Sequence, residues 1–340
     1  MSPSFRNFLI TRLLLTIPMV LILMSMVFFI MRILPGDPIR SQLGPRVSAQ
    51  QAAQMRERLG LNRPLHIQYF DFLKSMLTLD FGNALTQGER PIRDELAERF
   101  PATVELIVPA MVITGLVGIY SGAYAAKHRK EPVDYGIRLV SIIIYAFPIF
   151  FLGLLFQIIF SVRLNLLPIA GRMDTLMLTN FQSPTNFYVV DAIITGNWPA
   201  LGSALKHLIL PSVTLGLALT GVFTRLTRVN MIEMLQSDFI TAGRARGIPE
   251  QTLVYQHSLR NTLIPIITLL GLQFAILLAG AVLTETTFSW PGLGRYLFER
   301  ISLRDYTAVQ AVISVFALLV GLISLGIDLL YALVDPRIRY

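Results

Sequence analysis

Six apolar stretches free of Asp, Glu, Lys and Arg constrain this chain more than any motif: Leu13–Met31, Leu106–Ala126, Leu139–Val162, His207–Thr224, Asn261–Thr284 and Tyr306–Ile327. A helix rises about 1.5 Å per residue, so roughly 20 residues cross a hydrocarbon core of about 30 Å. One Lys, Arg or Asp at mid-span costs on the order of 2.5–3.5 kcal/mol. A soluble bundle would interrupt such runs with polar residues at helical spacing. The chain is 54% hydrophobic and 15% charged, against roughly 25% charged for a soluble domain. It reads as an all-α polytopic membrane protein with six transmembrane helices.

A net charge of +8 would suit a nucleic-acid binder, so its placement matters. If the six spans alternate, Arg6, Arg12, Lys127–Arg138, Arg225–Arg260, Arg337 and Arg339 fall on one side. That side holds 13 Lys and Arg against 6 Asp and Glu. Basic short loops stay in the cytoplasm, so both termini are expected on the cytoplasmic side of the membrane. The charge is read as topology, with lipid rather than nucleic acid as the surrounding partner. The first run is longer than the roughly 7–15 residues of a secretory core, and no small-residue cleavage site follows it. Residues 1–32 are therefore expected to be a retained anchor helix.

Arg32–Phe100 carries 10 basic and 8 acidic residues, which marks it as solvated. Ser48–Leu59, with Ser48 as N-cap, and Pro64–Leu77, with Pro64 at a first helical position, are its expected helices. Leu65, Tyr69, Phe72, Leu73 and Met76 share one face. Residues 33–100 thus form an expected extracytoplasmic helical subdomain. A core over 101–334 and a cytoplasmic tail over 335–340 follow. Arg163–Lys206 is a second outer loop, and such long loops are usually functional. Gly118-x-x-x-Gly122 is a close-packing pattern.

The loop 225–260 is the most informative polar segment. Ser237-Asp238 opens a short helix that Gly247-Ile248-Pro249 stops, and a second helix is expected from Pro249. Ala242, Gly243, Ala245 and Gly247 leave a surface that another protein can approach, beside the donors Arg244 and Arg246. A solvated helix-turn-helix fits the same residues.

Asp238-Phe-Ile-Thr-Ala-Gly-Arg-Ala-Arg-Gly247, with His257-Ser-Leu-Arg-Asn261 and Pro265, resembles the coupling loop of ABC importer permeases, specifically the dipeptide, oligopeptide and nickel branch. Four further blocks match in order: Leu34–Pro38, Arg99–Leu106, Glu285–Gly294 and Asp328–Arg339. The resemblance implies a type I ABC importer permease fold with a small extracytoplasmic subdomain. It implies a second homologous permease, two cytoplasmic ATPase subunits and an extracytoplasmic substrate-binding protein as partners. Asp238, Thr241, Ala242, Gly243, Arg244, Ala245, Arg246 and Gly247 would then dock an ATPase. Thr241 stands where the wider superfamily has Glu. Peptides are the implied cargo, with nickel chelates and oligosaccharides as alternatives.

No G-x-x-x-x-G-K-[ST] phosphate loop occurs, so ATP and Mg are expected on the partner ATPases and no cofactor on this chain. No H-E-x-x-H or G-x-S-x-G occurs either, and neither catalytic residues nor metal ligands are expected. An ion-coupled secondary transporter needs ionisable groups at membrane depth. Only Glu105 and Asp328 qualify. Glu105 reads as an acid in the first turn of its helix, and Asp328 as the partner of a cytoplasmic Arg. Tyr145, Gln157, Thr268 and Gln273 lie within spans. They suit either a pathway lining or helix–helix hydrogen bonds, and the sequence does not choose. Trp290 reads as an interfacial anchor.

Overall fold

The computed structural model describes residues 3–33, 48–58, 60–84 and 90–334. The Leu34–Pro38 block and the 335–340 tail lie outside the described residues. Helices α1 (Pro3–Ile33), α2 (Ala49–Arg58), α3 (Leu65–Thr78), α4 (Ile92–Lys127), α5 (Pro132–Ala146) and α6 (Ile149–Phe156) come first. After them run α7 (Tyr188–Ile194), α8 (Trp198–Leu235), α9 (Asp238–Ala245), α10 (Leu259–Thr287), α11 (Leu293–Ser302) and α12 (Tyr306–Val334). No named β-strand occurs among the described residues; an isolated bridge joins Asn83 and Pro91.

Among the described residues, four unbroken stretches are long and apolar enough to cross a membrane: Ile10–Arg32, Ile92–Lys127, Trp198–Leu235 and Tyr306–Leu329. The expected span Leu139–Val162 is not one helix. It breaks at Phe147-Pro148, and its two limbs, α5 and the helix through Arg163, meet at 105°. The proline ring disfavours helical backbone at the preceding residue, and Phe147 is accordingly extended at φ −77°, ψ 134°. The expected span Asn261–Thr284 lies within the continuous helix α10.

The centre of the bundle is the pair α4 and α8, which share the most extensive helix–helix contact. Glycines set their separation. A Cβ on Gly122 would stand 2.6 Å from the Thr224 carbonyl oxygen and 2.7 Å from the Thr227 Cβ, and one on Gly118 would overlap the Phe223 Cβ. From the other helix, a Cβ on Gly216 would stand 2.7 Å from the Ala110 carbonyl oxygen. At this range Thr114 Oγ1 donates across the seam to the Gly216 carbonyl oxygen at 2.8 Å. Ser121 and Thr224 share a hydroxyl bond of 2.8 Å. Apolar layers from α4, α8 and α10, with Leu106, Leu215 and Leu277 at their centre, complete the core.

In the segment after α1, Ser48 caps α2 as expected. Its Oγ accepts from the Gln51 N–H at 3.2 Å, while Gln51 Oε1 accepts from the Ser48 N–H at 3.3 Å, a reciprocal capping box. Pro64 sits one position earlier than expected, at the N-cap of α3. Phe72, Tyr69, Leu73 and Met76 pack on Met24 and Phe28 of α1, but Leu65 is exposed. Asp328 on α12 pairs with Arg12 on α1 at 3.3 Å, so its charge is matched structurally.

Placing Leu at Gly122 or Gly216 is expected to force α4 and α8 apart, at a cost of about 1–3 kcal/mol or more. Gly115→Leu, where no heavy atom lies within 4 Å of an added Cβ, should be tolerated. Thermal unfolding of the detergent-solubilised protein separates the two outcomes.

Candidate functional site

Helix α9 projects between α8 and α10. Its N-cap Ser237 does not cap it with its side chain; the hydroxyl donates backwards to the Met234 carbonyl oxygen at 2.6 Å. The C-terminal end is closed by backbone. Gly247, at φ +76°, donates its N–H to the Arg244 carbonyl oxygen at 2.9 Å, and the Ile248 N–H reaches the Gly243 carbonyl oxygen at 3.1 Å. That is the Schellman arrangement, and its left-handed residue favours glycine.

The eight residues expected to dock a partner divide between two faces. Gly243 is buried with Ile240, and its bare Cα accepts Leu253: an added Cβ would stand 2.7 Å from the Leu253 Cδ2. Its smallness therefore serves packing within the loop. Asp238, Thr241, Ala242, Ala245, Arg246 and Gly247 are exposed. Asp238, Thr241, Ala242 and Ala245 recur at i, i+3, i+4 and i+7, a single outward face with small side chains at its centre. Arg244 is exposed as well, and its side chain runs along the loop. Its guanidinium grips Glu250 through two bonds, Nη2 to Oε1 at 2.7 Å and Nε to Oε2 at 3.0 Å. This clasp spans the Gly247-Ile248-Pro249 turn.

The second helix expected from Pro249 is not separate. Glu250–Thr252 runs into a wider π-helical turn, Leu253–Ser258, and then directly into α10. Val254 and Leu259 are buried among Ala123, Ala126 and Met231, at the ends of α4 and α8. Nearby, Arg228 on α8 holds Asp134 of α5 by two bonds of 2.6 Å. The projecting helix is thus tied to α10 through continuous backbone and to α4 and α8 through packing.

The residues within spans behave differently from one another. Gln157 is buried and structural: its Nε2 donates to the carbonyl oxygens of Ile169 at 2.8 Å and Thr287 at 3.2 Å. Gln273 is buried, and its Oε1 has no hydrogen-bond partner. Tyr145, on the last turn of α5, is 60% exposed. The side chain of Thr268 lies outside the described residues.

At the opposite end of the bundle two expectations change. Helix α4 begins at Ile92, so Glu105 is deep within it and not in its first turn. Glu105 is buried and accepts from Arg172 at 2.7 Å and from the Val189 N–H at 2.9 Å. The Arg172 guanidinium also lies 3.8 Å from the Tyr188 ring centroid. Trp290 is not an exposed anchor. It is 1% exposed, and its Nε1 donates to the Ala102 carbonyl oxygen at 2.8 Å. Glu285 beside it is fully buried and accepts from Thr103 Oγ1 at 2.7 Å and the Arg295 N–H at 2.8 Å. The Arg99–Leu106 and Glu285–Gly294 blocks therefore form one staple between α4, α10 and α11. Among the described residues, no group of three or more His, Asp or Glu is placed to hold a metal ion.

Glycine-packed apolar helices with a short helix projecting from one end define a multi-pass helical membrane component. Residues 116–340 match the family of binding-protein-dependent transport system inner membrane components, and residues 5–107 match the N-terminal membrane component of such systems. The chain belongs to this family of transport permeases, at home in the inner membrane. It is 40% identical over 98% of its length to the di/tripeptide transport system permease protein DppB of Pseudomonas aeruginosa, covering 99% of that protein. To the dipeptide transport system permease protein DppB of Escherichia coli it is 37% identical, over 98% of this chain and 99% of that one. The glutathione transport system permease protein GsiC of Salmonella typhimurium gives 37% over 98% and 99%.

Two outcomes follow from this geometry. Arg172→Ala leaves the buried Glu105 carboxylate without its counter-charge, and loss of such a partner costs about 3–5 kcal/mol. Replacing both by Met should recover much of that, read by thermal unfolding and by proteolysis within 163–206. The Glu250 carboxyl is held below its ordinary value by the bond from Arg244. Its contribution is present at neutral pH and lost as pH falls below 4.5 through that depressed value. For an exposed, screened pair it amounts to at most about 1 kcal/mol. Protection of the Gly247 and Ile248 amides, taken as the exchange rate relative to the intrinsic rate at each pH, should fall at acid pH by at most about fivefold, and Glu250→Gln should abolish that loss.

Proposed function

We propose that this chain forms half of the translocation pathway of an ATP-driven importer of di- and oligopeptides. Its companions are a second homologous permease, two cytoplasmic ATPase subunits and an extracytoplasmic substrate-binding protein. Both termini and α9 face the cytoplasm, as the placement of the basic loops supports. The chain itself carries out no catalysis; ATP and Mg belong to the ATPases. The observation that carries the reading is α9, a small-residue face held outward by a closed turn and continuous with a membrane helix. Peptide cargo is supported by the near-full-length similarity to permeases named for dipeptide and di/tripeptide transport.

The mechanism follows from the connections of that helix. Moving a two-state equilibrium from 1:99 to 99:1 takes about 5.5 kcal/mol of differential binding. An ATPase clasping α9 supplies it when nucleotide closes the ATPase pair. Displacement of α9 passes through the Arg244–Glu250 clasp and the 253–258 turn into α10. Leu253 and Val254, wedged beneath α9 and against the ends of α4 and α8, carry the same push to the central pair. A π-helical turn has looser geometry than its α-helical neighbours and is a common hinge, which places the flexing point between the docking helix and the span.

Ala242→Trp puts a bulky ring on the outward face without touching the buried side of α9. In proteoliposomes holding the complete complex, this variant should lower dipeptide uptake and substrate-stimulated ATP hydrolysis at least about tenfold, with membrane insertion intact. Unchanged coupling would remove α9 from the transmission path. Competition of labelled dipeptide by unlabelled tripeptide, glutathione or a nickel chelate tests the cargo separately.

A further inference from the structure

A groove of about 400 Å³ lies between α4, α5 and α8, lined chiefly by Val117, Gly136, Val140, Ile144, Leu217 and Gly221. That volume is within the range of ligand sites, roughly 300–1,000 Å³. Its walls are mainly aliphatic, with the hydroxyl residues Ser121, Ser141 and Thr220 among them, so it suits a hydrocarbon chain better than a charged solute. Helix α5 forms one wall and is exposed over most of its length, including Leu139, Val140, Ile142 and Ile143, so the groove opens sideways from the bundle. Gly136 has no heavy atom within 4 Å of an added Cβ, which marks the open part of the cleft.

Basic residues lie in the sequence just beyond the groove-lining stretches of α5 and α8. Val133 lines the groove, and the next residue, Asp134, is already matched by Arg228. Arg138 lies within electrostatic reach of that same carboxylate, and Lys130 donates its backbone N–H to it at 3.2 Å. Arg225 follows Gly221 by four residues on α8, hence on the same face one turn along. Arg129, Lys130, Arg138 and Arg225 are all exposed, and the acids of this rim are Asp134, taken up by Arg228, and Glu131. An apolar cleft with surplus cations just beyond it is complementary to one amphiphile above others.

We infer that this groove is a binding site for an anionic phospholipid, one acyl chain lying along Val140, Ile144 and Leu217 and the phosphate resting among Arg138, Arg225 and Lys130. Basic pockets between membrane helices on the cytoplasmic side select acidic head groups in this way. Only the choice of leaflet depends on the orientation proposed above; the chemistry of the site does not.

The purified complete complex, stripped of endogenous lipid and offered phosphatidylglycerol or phosphatidylcholine in mixed micelles, provides the test by native mass spectrometry. Phosphatidylglycerol should be retained preferentially. Gly136→Phe should weaken its retention about tenfold, as expected when about two chain methylenes lose their burial. Arg138→Gln with Arg225→Gln should reduce the preference for the anionic lipid at least about fivefold while leaving phosphatidylcholine retention unchanged. Equal retention of both lipids, or no effect of either variant, overturns the inference. The chain has no cysteine, so Gly136→Cys gives a single attachment point. Crosslinking from it to the second permease in place of lipid would also overturn the assignment.

Discussion

The architecture depends on how closely α4 and α8 approach. In a membrane, lipid tails are as apolar as leucine, so helices gain little by exchanging one for the other. Packing and short polar contacts must hold them instead. Gly118 and Gly122 on α4 and Gly216 on α8 strip away the side chains that would keep the backbones apart. Only at that separation can Thr114 and Ser121 bond across the seam. Every other span rests on this pair: α5 on one flank, α10 on another, and α12 beyond α10, with α1 laid against α12.

The projecting helix inherits its rigidity from that centre. An eight-residue helix has too few hydrogen bonds to persist alone. It is held by Ile240 and Gly243 seated on Leu253, by a backbone-closed C-terminus at Gly247, and by the Arg244–Glu250 clasp. Because the chain leaves this turn directly into α10, a displacement of α9 has no slack loop in which to dissipate. The opposite end of the bundle is fastened by a different device. Glu105 and Arg172 pin the 163–206 loop to α4, and Glu285 with Trp290 pins α11.

Much of this was legible in order along the chain. The apolar runs located the long apolar helices, Ser48 gave the start of α2, and Gly247-Ile248-Pro249 gave the end of α9. Gly118-x-x-x-Gly122 announced a close approach without naming its partner. The side-chain roles were less legible. Arg244 looked like a donor for a partner, and its bond to Glu250 within the loop was not foreseen; Gly243 looked like part of an outer surface and faces Leu253. Trp290, placed at the interface by habit of its type, is buried because Ala102 offers its indole a carbonyl. Arg172 and Asp134 carried no local signal, since their partners lie 67 and 94 residues away.

The sequence alone determined the solvent of this protein, because hydrocarbon penalises each charge independently of its neighbours and the apolar runs can be counted. It determined turn chemistry for the same reason: a left-handed residue or a proline acts on its own backbone. Tertiary structure decided which small residues are contacts and which are surface, and which buried charges are matched. It also decided that the third apolar run is bent at Phe147-Pro148 rather than straight. Those outcomes depend on what stands opposite each side chain, and that is fixed only when separate helices share a common interior.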